Sequence, residues 1–304
     1  MRMTSLLSLA MVPAALVAQA PAAPADFSQR LKTDGPAVEQ LLKEFQPLEA
    51  LKKAEAMLPA AKPVFDTSSV AAGRASSFQF SDLVRTYHLA GKAAVSAGYW
   101  EKGRDYFVKA KELAQTNLEQ TTAVLTPAME AWATPMAAAK AALAEGADRL
   151  KELSAKQPLT PEEDQELKNF QVHQQNVANG EKITGILKQD IAITKTELDA
   201  FLPMIAGSEK AIKSETEEME KEIASAKFKG KKDKYLVAVL NPKNLETRAT
   251  KLEKMNFLYR LRFQAEATPF AEKVSTVIEK LRADQDPFAA EKPAKKAAAR
   301  KKAK

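Results

Sequence analysis

The chain has 304 residues, with 46 Lys and Arg, 39 Asp and Glu, and no cysteine. The missing cysteine excludes disulfides, thiolate catalysis, cysteine-ligated metal and the lipid anchoring that needs a cysteine behind an export signal. The formal charge of +7 is unevenly spread, because Lys292, Lys295, Lys296, Arg300, Lys301, Lys302 and Lys304 stand together with no acid. Without that tail and Arg2, residues 26–291 hold 38 basic against 39 acidic residues, so the body is close to neutral.

Residues 1–25, MRMTSLLSLAMVPAALVAQAPAAPA, follow the three-part secretory pattern: Arg2, an apolar stretch from Leu6 to Val17, then small residues. The apolar stretch is shorter than the roughly 20 residues a membrane span requires. Ala18-Gln19-Ala20 fits the small-x-small rule, but Pro21 would follow that cut, so cleavage is expected after Ala22 or Ala25. The mature chain is then expected to be periplasmic or secreted, without a transmembrane segment. Its roughly 280 residues suffice to bury a large core without disulfides.

Beyond the signal, Ala, Leu, Lys, Glu and Gln dominate, glycine is scarce and no Val/Ile/Thr alternation persists. The composition predicts an all-α chain. Val38, Leu41, Leu42, Phe45, Leu48 and Leu51 form one apolar stripe, predicting a helix over about 37–57 with a kink at Pro47. Residues 59–77 read as a loop, followed by helices over about 81–97 and 99–118. Pro127 and Pro135 are expected to break or kink the next stretch, before a helix over about 137–155. Thr160-Pro161-Glu162-Glu163 is an N-cap, first-turn proline and acid pattern. The helix it opens is expected to stop at Pro203, with Ser208 capping another. Tyr235–Leu240 suits a helical turn better than a strand. Asn244 is expected to open a helix to Ala265, and Thr268-Pro269 a last one to about Ala283. The chain therefore divides into a signal at 1–25, a helical region at 26–157, a long-helix bundle region at 158–287 and a disordered Lys/Ala-rich tail at 288–304. Leu187, Ile191, Thr194, Leu198 and Phe201 keep coiled-coil spacing, but the register continues backwards onto Thr184, Gly180, Val177 and His173. A short, half-polar seam of this kind fits packing within a bundle better than a dimeric rod.

One window carries a motif. In VRTYHLAGKAAVSAGYWEKGRDYFVKAKELAQTN, residues 84–117, Tyr87 takes a large aromatic position, Ala90-Gly91 a Leu-Gly pair, and Ala94 the next packing position. Gly98 is a turn glycine with Trp100 behind it, and Gly103, Phe107 and Ala110 alternate small and aromatic. This resembles a single tetratricopeptide repeat, a helix–turn–helix unit. Ala90 for leucine, Ala94 for an aromatic and Gln115 for the closing proline depart from the pattern. No second copy is legible at the 34-residue offset beyond Ala137 and Ala144, so the fold implied is TPR-like hairpins or a bundle. The resemblance implies that Arg85, His88, Lys92 and Val95 face a groove for a protein partner. The cations there would hold an acidic or C-terminal carboxylate group. The alternative is that Arg85 and Lys92 form a solvated face and His88 packs.

No catalytic, cofactor-binding or metal-binding set is identified. His88 and His173 are the two histidines, and Asn169, Phe170, Asn176 and Val177 flank His173 at helical spacing. No HExxH, nucleophile elbow, P-loop or dinucleotide fingerprint occurs. The acids between Glu215 and Glu222 read as a solvated helix face, with a weak calcium site as the sharper alternative. Thirty-nine acids make carboxylate pairs inevitable, so an unrecognised hydrolase is the least favoured class. The expected function is a non-enzymatic interaction or scaffold protein of the cell envelope. Alternatively, Lys295, Lys296, Arg300, Lys301, Lys302 and Lys304 bind an envelope polyanion by counterion release, without sequence-specific nucleic-acid recognition. Candidate polyanions are anionic lipid, acidic polysaccharide and extracellular DNA.

Overall fold

The computed structural model describes residues 25–59 and 63–288, so residues 1–24 of the expected signal and residues 289–304 of the expected tail lie outside the described residues. The described chain forms ten helices and no strand: α1 Ala25–Lys43, α2 Pro47–Met57, α3 Val70–Ser96, α4 Trp100–Glu145, α5 Ala147–Ala155, α6 Pro161–Ala224, α7 Lys232–Val239, α8 Pro242–Glu246, α9 Lys251–Gln264 and α10 Phe270–Arg282. Among the described residues, no helix is long and apolar enough to cross a membrane.

Several helix ends differ from the sequence reading, each for a local reason. The expected kink at Pro47 is a full break. Phe45 N–H donates to Leu42 C=O and Gln46 N–H to Leu41 C=O, the paired bonds of a Schellman stop. Phe45 occupies the left-handed position with φ 59°. Pro47 then opens α2, where its missing N–H costs nothing. Helix α1 starts well before the expected residue 37 and runs through Pro36. Helix α3 starts at Val70, inside the expected loop, where Ser69 Oγ accepts from Ala72 N–H. Helices α4 and α6 continue through Pro127, Pro135 and Pro203, so the expected stop at Pro203 and the Ser208 cap do not occur. Flanking side chains Leu125 and Phe201 are 0% and 4% exposed, so tertiary packing holds these turns against the lost backbone bonds.

Other caps follow the local chemistry. Thr160 caps the start of α6 as expected, and Glu163 adds the return bond, accepting from Thr160 N–H while its own N–H donates to Thr160 Oγ1. Thr250 and Glu253 form a second capping box on α9, separating it from the short α8, which Asn241 caps. The helix expected from Asn244 is therefore two helices. Thr268 turns its hydroxyl back to Ala265 C=O and does not cap α10.

The helices form two compact units. The first holds the segments up to Ala37, Lys53–Leu89 and Tyr106–Ile205, and the second holds Val38–Lys52, Ala90–Asp105 and the chain from Ala206. In the first unit, Phe80, Leu83, Val84, Leu113 and Phe201 form an apolar cluster, with Leu198 packed against it. Leu187 and Thr194 are also buried, so the coiled-coil seam of α6 is used inside this unit. A polar seam crosses the same unit. Asn117 Nδ2 donates to Ser77 C=O and Ser81 Oγ, Thr121 Oγ1 donates to Ser77 Oγ, and Ser81 Oγ donates to Glu197. The second unit is built on Leu236, Leu258, Tyr259, Leu261, Val274 and Ile278, with Phe288 packed at the edge.

Candidate interaction surfaces

The turn of the repeat-like hairpin belongs to the second unit. Gly98 N–H donates to Val95 C=O and Tyr99 N–H to Ala94 C=O, another Schellman stop, with Gly98 at φ 79°. The Trp100 ring stacks on Phe263 with centroids 4.5 Å apart and planes at 16°. The Arg262 guanidinium lies 3.6 Å above the Tyr99 ring. The hairpin turn is thus seated on α9.

The four residues expected to face a partner have different surroundings. Arg85 is exposed, and its Nη2 lies 3.4 Å from Glu197 Oε1. His88 is half-buried between the rings of Phe107 and Phe201, at centroid distances of 6.1 and 5.5 Å. Lys92 is exposed. Val95 is half-buried against α4, where a Cβ on Gly103 would lie 2.5 Å from Val95 Cγ2. The tail cations Lys295, Lys296, Arg300, Lys301, Lys302 and Lys304 lie outside the described residues.

A different surface stands out in the second unit. An open groove of about 680 Å³ is lined by Glu44, Phe45 and Gln46 at the α1–α2 break, Lys251, Leu252 and Met255 on α9, and Glu279, Arg282 and Ala283 at the end of α10. Met255 is 4% exposed, whereas Phe45 is 59% and Leu252 39% exposed. A recess with an apolar floor therefore sits beside two large apolar side chains that meet water. The cost at Phe45 is double: an aromatic is left wet, and a left-handed backbone that glycine would hold cheaply carries a side chain.

The charges around the groove are mostly satisfied internally. Glu44 accepts from the side chains of Gln40 and Gln46. Lys251 Nζ donates to Arg282 C=O and to Asp284 Oδ1 at 2.7 Å. Arg282 Nη1 lies 3.4 Å from Glu49 Oε1. Glu279 is exposed. Such a surface favours an apolar or charge-balanced partner over a strongly charged one.

A second recess of about 310 Å³ is lined in part by Glu218, Glu222, Tyr235, Arg248, Phe257, Arg260 and Gln264. Here the acidic helix face is not wholly solvated. Glu215 is 6% exposed and accepts from Arg260 Nε at 2.6 Å and from Gln264. Tyr235 donates to Gln264, Glu218 takes Arg260 Nη2, and Arg248 covers the Phe257 ring. Among the described residues, no group of three or more His, Asp or Glu is placed to hold a metal ion.

No protein-family model, curated protein or solved structure matches the chain. The groove was not identified from sequence, because residues 44–46, 251–255 and 279–283 meet only through tertiary packing. One local signal was present: a proline suited to a first helical turn at 47 places the preceding stop, and hence the left-handed residue, at Phe45.

Proposed function

We propose that this chain is an exported, non-catalytic helical protein that works by binding another protein surface in the cell envelope. The carrying observation is the groove at the α1–α2 break. Exposed Phe45, held at φ 59°, and exposed Leu252 stand over a recess floored by Met255. Backbone strain and exposed aromatic area are both costs that folding alone does not require, and they coincide here. Export is supported by the three-part pattern of residues 1–25. The repeat-like hairpin adds the general character of an interaction protein.

The test is a photoreactive benzophenone side chain at position 45 of the exported protein. Irradiation of intact cells should give one discrete protein adduct, lost when Leu252 is replaced by Asp. Absence of any adduct at 45 would remove the groove from the reading. N-terminal sequencing should find Ala23 or Asp26, and an intact Met1 in the exported fraction would count against export.

A second reading rests on the seven cations of 292–304, which carry no compensating acid. In an envelope they would engage anionic lipid headgroups, at about 1 kcal/mol per residue near the surface. Vesicle binding that falls steeply with salt, and disappears when 289–304 are removed, is the expected result. Binding that survives the deletion refutes it.

A further inference from the structure

We infer that the occupant of the groove at the α1–α2 break is a second copy of this chain, joined about a two-fold axis. The inference rests on the reading of that groove as an interaction surface, and it names the partner. A two-fold contact requires one patch to be complementary to itself, so that each residue type meets its opposite across the axis. This patch carries both halves of such a contact. Phe45, 59% exposed, supplies an apolar projection, and the recess over Met255, 4% exposed, supplies a place for one. The rim carries Glu44 and Glu279 together with Lys251 and Arg282, a balanced set, so a copy of the patch meets it without net repulsion. A strongly basic or acidic partner would find no matching excess.

The internal pairing of Lys251 with Asp284 and of Arg282 with Glu49 also limits what salt can do. Association driven by Phe45 and Leu252 should be nearly insensitive to ionic strength. Association through the basic tail should fall steeply with it. The two routes are therefore separable in one titration.

The experiment is sedimentation of the mature full chain from low to high micromolar concentration, at low and high salt. A concentration-dependent dimer that persists in high salt is expected. Phe45→Gly should raise the dissociation constant about a hundredfold or more, because each two-fold contact loses two buried aromatic rings. This variant removes left-handed strain, so a weaker dimer with equal or higher thermal stability separates lost contact from lost folding. Leu252→Gln, on an exposed position, should weaken the dimer in the same direction. A monomer at every concentration overturns the proposal. So does a dimer unchanged by Phe45→Gly, or one abolished by removing 289–304. If the chain is monomeric while the photoreactive group at 45 still labels a different protein, the self-association fails and the interaction reading stands. If neither a dimer nor an adduct at 45 is found, both fail.

Discussion

Gly98 sits against the main chain of Tyr259 so closely that a Cβ built on it falls 2.3 Å from the Tyr259 carbonyl oxygen. The residue therefore meets two demands at once. Its φ of 79° ends α3, and its missing side chain lets the hairpin turn seat on α9. The glycine of the repeat-like motif serves packing as much as chain reversal.

Gly98→Ala should accordingly lower stability by about 3 kcal/mol, combining the left-handed penalty with a contact against backbone that cannot yield. Urea unfolding followed by circular dichroism measures it. Ala at Gly185, where an added Cβ meets nothing within 4 Å, should instead be neutral or stabilising by up to about 1 kcal/mol in mid-helix. Equal effects at the two positions would contradict the seating of the turn.

Phe45→Gly should raise the stability of the monomer by about 1 kcal/mol, since the left-handed position no longer carries a side chain. The exposed ring contributes little burial to offset this. Thermal unfolding at a concentration too low for association is the appropriate measurement, and a fall in midpoint would show that Phe45 packs more than its exposure indicates.

Asn117→Ala should cost about 2–3 kcal/mol. Asn117 is fully buried, and its loss leaves Ser77 C=O and Ser81 Oγ short of a donor in the first unit. Thr116→Ala, one position away and only half-buried, with its hydroxyl turned back to Glu112 C=O, gives the comparison and should change stability by less than about 1 kcal/mol.

Burial pushes the Glu266 carboxyl above its ordinary range, against the opposing pull of Arg262. Its Oε2, and Nε and Nη1 of Arg262, make no hydrogen bond among the described residues. A carboxyl raised on folding contributes stability below its unfolded pKa and loses it as pH rises through the folded value. The ionised form is therefore the unfavourable one at neutral pH. Glu266→Gln should stabilise the protein at pH 7, with the gain shrinking on acidification and vanishing once the wild-type carboxyl is protonated in both states. Chemical denaturation across pH 3–8 checks the direction, and a loss of stability at pH 7 would mean that Glu266 serves mainly as the counter-charge of Arg262.

The helical class and the strongest cap were legible because they are local properties. Thr160, Pro161 and Glu163 lie within four residues, so the start of α6 follows from their spacing, and Thr160 and Glu163 close it with two hydrogen bonds. Pro203 misled for the opposite reason. Pro127, Pro135 and Pro203 weaken a helix locally, while burial of neighbours such as Leu125 and Phe201 sustains it from outside the window. The four residues singled out on α3 share a helix, yet distant groups set their surroundings: Glu197 for Arg85, Phe201 for His88, Gly103 for Val95. The groove was less legible still, because exposed apolar residues such as Phe45 and Leu252 look like ordinary members of apolar stripes until the partners of those stripes are known.

The stacking of Trp100 on Phe263 has an optical consequence. The chain has two tryptophans, and the other, Trp132, lies in the first unit beside Gly180, where an added Cβ would come 3.2 Å from its ring. Each unit thus carries its own indole. Replacing either by Phe leaves a protein whose fluorescence follows one unit alone, so whether the two melt together or in succession is answered without any added label.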